Sequence, residues 1–404
     1  MMSFSALERL DRYKKLVSLR NVVLLNNRAY DSSVKSLEVK IQERVTKEFL
    51  DPTSDEQEII EEMKATNLKF VDKLSKQQND REVFFQVLEN VREKDVHFFH
   101  KFSDPNIDLA ELLVAGDALK RGGVNSVTLY LPYIAYQRQD KKDDGRVPIA
   151  ARWIYDVISI SFGNHLKRIV TFDLHAKQEQ GYFDGPLDEL SAIPDFAAYY
   201  HDLFKDSFAS DRRDVLVISP DPGGAKRARS LAKALGTQFV ILDKVRTGHG
   251  EAEHRFYLPS DVKGKKAIVV DDIVDSGSTA VGEYENNKIG PLQYLRDERG
   301  AEVHFCATHA LLSSKNGILA EDRMRKAGVS AVFADTMPEK YDGYYKENSD
   351  WMSIISLNYV SSKAVYCNQV GASMSDFLKK RDERLFGRLD FVVKKDKNGV
   401  LVVE

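Results

Sequence analysis

The stretch A-I-V-V-D-D-I-V-D-S-G-S-T, Ala267 to Thr279, decides how the chain is read. An apolar run with the character of a buried strand ends on Asp271 and Asp272. Asp275 follows, then Ser276, Gly277, Ser278 and Thr279. Ligands of open α/β sheets bind beyond the carboxyl ends of the strands, where this polar segment falls. Glycine lets the backbone turn and approach a ligand closely, and successive amides with serine and threonine hydroxyls make an anion cradle. The aspartates do the opposite job: a carboxylate pair accepts hydrogen bonds from a sugar diol or holds a divalent cation. A sugar phosphate carries hydroxyls at one end and phosphate at the other, so both halves of the segment fit one ligand. An ordinary helix cap explains one residue of the run, not three acids followed by S-G-S-T.

Working outward, apolar strands alternate with amphipathic helices. Strands are expected at 127–134, 169–174, 215–218, 239–242, 267–273 and 303–307, and helices at 109–120, 149–161, 225–235 and within 280–300. That alternation predicts α/β units on mainly parallel sheets flanked by helices. The rhythm is too long for one sheet, and the Pro- and Asp-rich run 184–195 marks a boundary. Two domains are expected, 1–190 and 191–404. Earlier in the chain, 5–19 reads as an amphipathic helix with Leu7, Leu10, Tyr13 and Val17 on one stripe. Residues 22–25, 83–88 and 96–99 read as strands and 33–50 as a helix. The acidic run 51–64 reads as a surface helix or inserted loop with little to fill a core. The tail 389–404 reads as a β-hairpin around Asn398-Gly399.

The chain has 404 residues, a net charge of −3 and 30% charged residues, so no basic field points to nucleic acid. Its two cysteines, Cys306 and Cys367, have no metal-like spacing and fit a reducing compartment. No apolar run reaches the roughly 18 residues of a membrane span, and the N-terminal residues lack the apolar core of a signal peptide. A cytoplasmic protein is expected.

The segment V-V-D-D-I-V-D-S-G-S-T resembles the phosphoribosyl-pyrophosphate (PRPP) motif of type I phosphoribosyltransferases and of ribose-phosphate diphosphokinases. Further segments select the diphosphokinases: E-V-F-F-Q-V-L-E-N-V-R (82–92), P-Y-I-A-Y-Q-R-Q-D-K-K-D-D-G-R-V-P-I (132–149), T-F-D-L-H-A-K-Q-E-Q-G-Y-F-D (171–184), S-P-D-P-G-G-A-K-R-A-R (219–229) and L-D-K-V-R (242–246). They occur in that family's order. The resemblance runs from about residue 80 to about 340 and more weakly beyond.

It implies two phosphoribosyltransferase type I-like domains that together form the active site. It also implies transfer of pyrophosphate from ATP to the C1 hydroxyl of ribose 5-phosphate, giving PRPP and AMP. By the same resemblance, Asp271, Asp272, Asp275, Ser276, Gly277, Ser278 and Thr279 bind ribose 5-phosphate. Asp80, Glu82, Arg138, Gln139 and Asp140 address ATP. His175 and Asp221 place Mg²⁺, and Lys244 and Arg246 are the catalytic cations of a mobile loop, 244–256. A homo-oligomer is implied. No P-loop signature occurs, and T-G-H-G-E-A-E falls short of a dinucleotide fingerprint.

The residues alone leave more open. Lys141 and Lys142 read as a solvated charge run. Asp221, in S-P-D-P-G-G, reads equally as a turn or cap. Lys226, Arg227 and Arg229 follow on a helix whose facing the spacing does not decide. The chain also departs from the family. Gln78-Asn79-Asp80-Arg81-Glu82 stands where F-S-D-G-E is usual, so an adenine-stacking aromatic is Gln78 and a glycine is Arg81. Extra residues lie near 51–64, at 283–292 and beyond about 385. Two rivals follow: a non-catalytic subunit that binds an active homologue, and a phosphoribosyltransferase that consumes PRPP.

Overall fold

Parallel pairing of short apolar runs begins at residue 22 and governs both halves of the chain. The computed structural model describes residues 4–27, 30–49, 54–65, 68–247, 253–258, 261–283, 288–387, 393–396 and 399–403. Helix α1 (Phe4–Leu19) leads into β1 (Val22–Asn26), and α2 (Asp31–Glu48) and α3 (Ser54–Ala65) follow. A hairpin of β2 (Lys73–Gln77) and β3 (Val83–Val87) comes next. Then come β4 (Asp95–Phe99), α4 (Pro105–Gly122), β5 (Ser126–Tyr130), α5 (Ala150–Phe162), β6 (Leu166–Phe172) and β7 (Leu187–Leu190). Five strands form one sheet in the order β1-β4-β5-β6-β7, every neighbouring pair parallel. β1 is buried along its whole length, as a strand covered on both faces must be. α4 starts and stops on local chemistry. The Asp104 carboxylate accepts from the Asn106 and Ile107 amides, Pro105 occupies the first turn, and Gly123 ends the helix in the left-handed conformation.

The second sheet is larger. After α6 (Ile193–Leu203) and α7 (Lys205–Ser210) come β8 (Val215–Ser219), α8 (Ala225–Leu235) and β9 (Gln238–Ile241). A ribbon of β10 (Asp243–Thr247) and β11 (Glu253–Tyr257) follows, then β12 (Lys266–Val274), α9 (Ser278–Val281), the short pair β13 (Gly282–Glu283) and β14 (Lys288–Ile289), and α10 (Pro291–Gln293). The remaining elements are β15 (Glu302–Ala310), α11 (Ala320–Ala327), β16 (Ser330–Ala334), α12 (Tyr344–Glu347), β17 (Met352–Ser356), α13 (Asn358–Val370), α14 (Met374–Gly387), β18 (Val393–Lys395) and β19 (Leu401–Val403). Eight strands run β18-β19-β17-β16-β15-β12-β8-β9, parallel except for the edge pair β18–β19. β12 lies between β15 and β8. Ala267 and Val269 join the cluster of Phe305, Val303, Leu292, Leu295 and Met324 that fills this core.

The chain divides into two compact units, residues 1–190 with 358–377 and residues 191–357 with 378–404. One boundary falls after Leu190, and α13 returns to the first unit. There His97 Nε2 lies 2.9 Å from Gln369 Oε1, and Ser18 Oγ donates to the Gln369 carbonyl. Polar anchors of that kind leave no mark in hydrophobic periodicity.

Other expectations change. In α1 Leu16 and Leu19 are buried while Tyr13 and Val17 are exposed, and the side chains of Leu7 and Leu10 lie outside those described. The acidic run forms α3, which buries Ile60 and Met63; Arg12 pairs with Glu56 and Arg20 with Glu62. The helix expected within 280–300 is broken. α9 lasts four residues, Gly282 turns the chain at φ +94, and a two-strand excursion precedes α10 and a π-helical turn. Gly290 makes that excursion possible: a Cβ there would lie 2.3 Å from the Gly282 nitrogen. The loop expected from 244 forms the antiparallel ribbon β10–β11, with 248–252 outside the described residues. In the tail, β18 and β19 pair antiparallel as expected, β19 adds to β17 on the sheet, and Asn398 lies outside the described residues.

Candidate active site

β12 carries Asp271 and Asp272 at its carboxyl end, where alternation along the strand gives them different surroundings. Asp272 is buried and Asp271 is partly exposed. The Asp272 amide donates to Asp271 Oδ1 at 2.9 Å. Arg227, on the first turns of α8, spans the pair, with Nη1 3.6 Å from Asp271 Oδ1 and Nη2 3.4 Å from Asp272 Oδ2. Burial, and then the negative charge of Asp272, push the Asp271 carboxyl pKa upward; the Arg227 guanidinium opposes them. The strand end is therefore an acceptor array kept ionisable by one cation.

The chain then turns. Gly277 sits at φ +73, where a side chain would be strained, and its carbonyl accepts from the Ala280 and Val281 amides. Ser276 Oγ and Ser278 Oγ lie 3.0 Å apart. Asp275 accepts from the Ser313 hydroxyl. Asp271, Asp272, Asp275, Ser276, Gly277, Ser278 and Thr279 thus follow one another at one strand end, with Asp271 and Asp272 on the strand and Asp275 and the hydroxyls on the turn. Asp221, after β8, accepts the Gly224 amide at 3.0 Å, and Ser219 Oγ donates to the Asp221 carbonyl. It caps its own turn and stays exposed, one strand away from Asp271.

In the first unit the loops after β5 and β6 are fastened together. The buried Gln137 accepts the His175 amide on Oε1 at 3.0 Å. Asp140 accepts from Gln178 Nε2 at 2.9 Å through its carboxylate and from the Tyr182 hydroxyl at 3.1 Å through its carbonyl. The Gln139 amide donates to the Tyr136 carbonyl, and the Gln139 carbonyl receives the Ala151 amide at the start of α5. Arg138, Gln139 and His175 are exposed, and Asp140 is half-buried. Tyr136 and Asp173 hold positive φ (+66 and +34) in these loops. Arg138, Gln139, Asp140 and His175 thus lie in neighbouring loops at the carboxyl ends of two adjacent strands.

Beneath them Glu179 is fully buried; its Oε1 accepts the Ala176 amide at 3.0 Å, and the buried Tyr155 phenol lies by its carboxyl. Burial raises the Glu179 carboxyl pKa to about 8, against the Ala176 amide and the His175 charge. Glu189 accepts the Leu174 amide, the Lys177 ammonium and the Gln180 amide, pinning the segment that follows His175.

Asp80 and Glu82 sit at the exposed tip of the β2–β3 hairpin, away from the β5 and β6 loops in sequence and in a separate sheet. The Glu82 amide donates to Asp80 Oδ1 at 3.1 Å. Arg81 keeps φ +74, the left-handed geometry that suits the glycine it replaces. Lys244 and Arg246 lie on β10, paired with Phe256 and His254 of β11.

Among the described residues, no three His, Cys, Asp or Glu side chains converge on a cation position. Sequence reasoning passed over Arg227 and Gln137. Arg227 was one of three basic residues on a helix, and only its approach to the acids distinguishes it. Gln137 acts through a backbone amide and leaves no pattern.

A parallel α/β sheet with such a turn at the end of a central strand places the chain in the phosphoribosyltransferase class. The N-terminal domain of ribose phosphate pyrophosphokinase matches residues 31–161, and the phosphoribosyl transferase domain matches residues 186–288. A ribose-phosphate pyrophosphokinase of Campylobacter jejuni is 39% identical over 265 residues, covering 65% of this chain and 78% of its own. One of Staphylococcus saprophyticus is 30% identical over 335 residues, 83% of this chain and 94% of its own. The crystal structure of phosphoribosylpyrophosphate synthetase from Mycobacterium smegmatis aligns at TM-score 0.64 and 27% identity, covering 86% of this chain and 98% of that one. The chain belongs to the ribose-phosphate pyrophosphokinase family, enzymes that make PRPP from ribose 5-phosphate and ATP. No helix among the described residues is long and apolar enough to cross a membrane.

Proposed function

We propose that the family's reaction is distributed over this chain as follows. Asp271, Asp272 and Asp275 hold the ribose hydroxyls, and Ser276, Gly277, Ser278 and Thr279 hold the 5-phosphate. Asp80, Glu82, Arg138, Gln139 and Asp140 bind ATP. The C1 hydroxyl oxygen bonds to the β-phosphorus as the bond from that phosphorus to the α,β-bridging oxygen breaks. AMP departs with the bridging oxygen, and the hydroxyl proton is lost. Lys244 and Arg246 offset the charge that develops on the transferred group, since positioned cations do most of the catalysis in phosphoryl chemistry.

The observation that carries this reading is Arg227 spanning Asp271 and Asp272 directly before the Ser-Gly-Ser-Thr turn. A structural acid pair has no need of an anion cradle beside it.

Magnesium is the proposed cofactor, with His175 and Asp221 as its protein contacts. Mg²⁺ keeps several waters and takes substrate phosphates, so exposed single donors at strand ends suit it, whereas a closed protein cage is not required. When bound, it would neutralise phosphate charge. The imidazole of His175 is a poor direct ligand for so hard a cation and fits contact through water. We place the enzyme in the cytoplasm, where its substrates are made, and propose a homo-oligomer.

The test is AMP and PRPP formation from ATP, ribose 5-phosphate and Mg²⁺, with Lys244→Ala alongside. The wild type should release one AMP per PRPP, and the variant should lose about a thousandfold or more in kcat, the scale of losing a charge-stabilising cation. Turnover within threefold of wild type would remove Lys244 from the chemistry. A folded wild type that makes no PRPP would leave a partner-binding subunit.

A further inference from the structure

The segment after β15 is built toward the phosphate turn. The Leu311 and Leu312 amides donate to the Val274 carbonyl at 2.8 and 3.3 Å, fixing the exit of β15 to the end of β12. Four residues on, Lys315 and Ile318 exchange backbone hydrogen bonds of 3.0 and 3.1 Å around Asn316 and Gly317, both left-handed at φ +55 and +76. That is the tight two-residue hairpin turn. Arg323 of α11, itself 1% exposed, donates through Nη2 to the Lys315 carbonyl at 3.0 Å. The Lys315 backbone is therefore held from both sides. Its Nζ lies 3.3 Å from Ser278 Oγ in the turn and 2.6 Å from Glu283 Oε1 on the excursion that interrupts the helix after the turn.

The electrostatics ask for such a cation. Asp275, Ser276, Gly277, Ser278 and Thr279 carry no positive charge, three carboxylates lie on or just before the turn, and Arg227 is engaged by two of them. Hydroxyls and amides alone would hold a phosphate dianion against that field at a cost. A lysine is a common phosphate partner, acting as a compact point charge.

We infer that Lys315 is a substrate-binding residue that contacts the 5-phosphate of ribose 5-phosphate, with Glu283 parking the ammonium beside Ser278 until the phosphate arrives. The inference rests on residues 275–279 being the phosphate site. The Lys315–Glu283 pair is partly solvent-exposed on the lysine side, so it is weak and readily exchanged for a phosphate.

Steady-state AMP formation by Lys315→Met and Lys315→Arg, varying each substrate at saturation of the other, tests this. The methionine variant should raise KM for ribose 5-phosphate about tenfold, the arginine variant should recover most of it, and KM for ATP should stay within twofold. Added salt should weaken ribose 5-phosphate binding, measured by calorimetry, more in the wild type than in Lys315→Met. An unchanged KM for ribose 5-phosphate in Lys315→Met, with the wild type active, overturns the inference alone. A wild type that neither binds ribose 5-phosphate nor turns it over overturns the phosphate-site reading and the inference with it.

Discussion

At the end of β12 two carboxylates share one guanidinium, whereas the loops after β5 and β6 are fastened by several amides and a Lys177–Glu189 ion pair over a buried carboxyl. The first cluster is short in sequence and charged, and its geometry depends on a single distant residue. The second spreads over residues 136–189, and many weak ties share its geometry. The comparison teaches where each cluster should be fragile. Losing one residue should collapse the electrostatics of the first, whereas the second should degrade by steps.

Arg227→Met should have the largest effect. It leaves Asp271 and Asp272 facing each other without a cation, which raises the Asp271 pKa further. Turnover of ribose 5-phosphate should fall about a hundredfold or more, the scale of losing one positioned donor. The pH at which kcat/KM for ribose 5-phosphate rises should move up, because the pair must lose its proton to accept the sugar hydroxyls. A pH–rate profile superimposable on wild type would break the comparison by making Arg227 a structural ion pair.

His175→Ala comes next. If its imidazole meets magnesium only through water, the loss should be about ten- to a hundredfold in activity at low Mg²⁺ and should shrink as Mg²⁺ is raised. A loss that Mg²⁺ does not relieve would assign His175 to positioning alone. Gln137→Leu sharpens the same point. It removes only the acceptor of the His175 amide, so KM for ATP should rise about five- to tenfold, one hydrogen bond's worth, with KM for ribose 5-phosphate unmoved. Equal change in both constants would mean that the loops after β5 and β6 do not act as a separate cluster.

The same contrast separates what the residues disclosed from what they did not. The strand from 267 and its acids were legible because buried parallel strands are continuous apolar runs and because the turn beyond them needs Gly277 at positive φ. The parallel architecture was legible for the same reason. Arg227 was hidden because helical spacing gives no facing without knowing which strand lies beneath. The interruption at 282–290 was hidden because it depends on Gly290 fitting against the Gly282 backbone, a contact between residues that carry no side chain. The return of α13 to the first unit was hidden because Gln369 makes its bonds to His97, Ser18 and Asp95, all more than 270 residues away. The hairpin tip was read as a departure at Arg81, and the backbone there holds φ +74, a conformation that favours glycine.

The smallest effect belongs to Glu179→Gln, and its value lies in its sign. Burial lifts this carboxyl from 4.5 to about 8 in the fold, so the folded protein holds a proton that the unfolded chain has lost between those values. The unfolded state binds fewer protons there, and stability falls as pH rises through that window. The contribution is whole below pH 4.5 and gone above about 8. Glutamine keeps the acceptor for the Ala176 amide and never ionises. The variant should therefore melt closest to wild type at pH 5.5 and a few degrees above it at pH 9. A constant gap across that range would mean that Glu179 is already ionised at low pH, held by His175. The buried carboxyl of the second cluster would then be charged like the pair on β12, and the distinction between the two strand ends would fall.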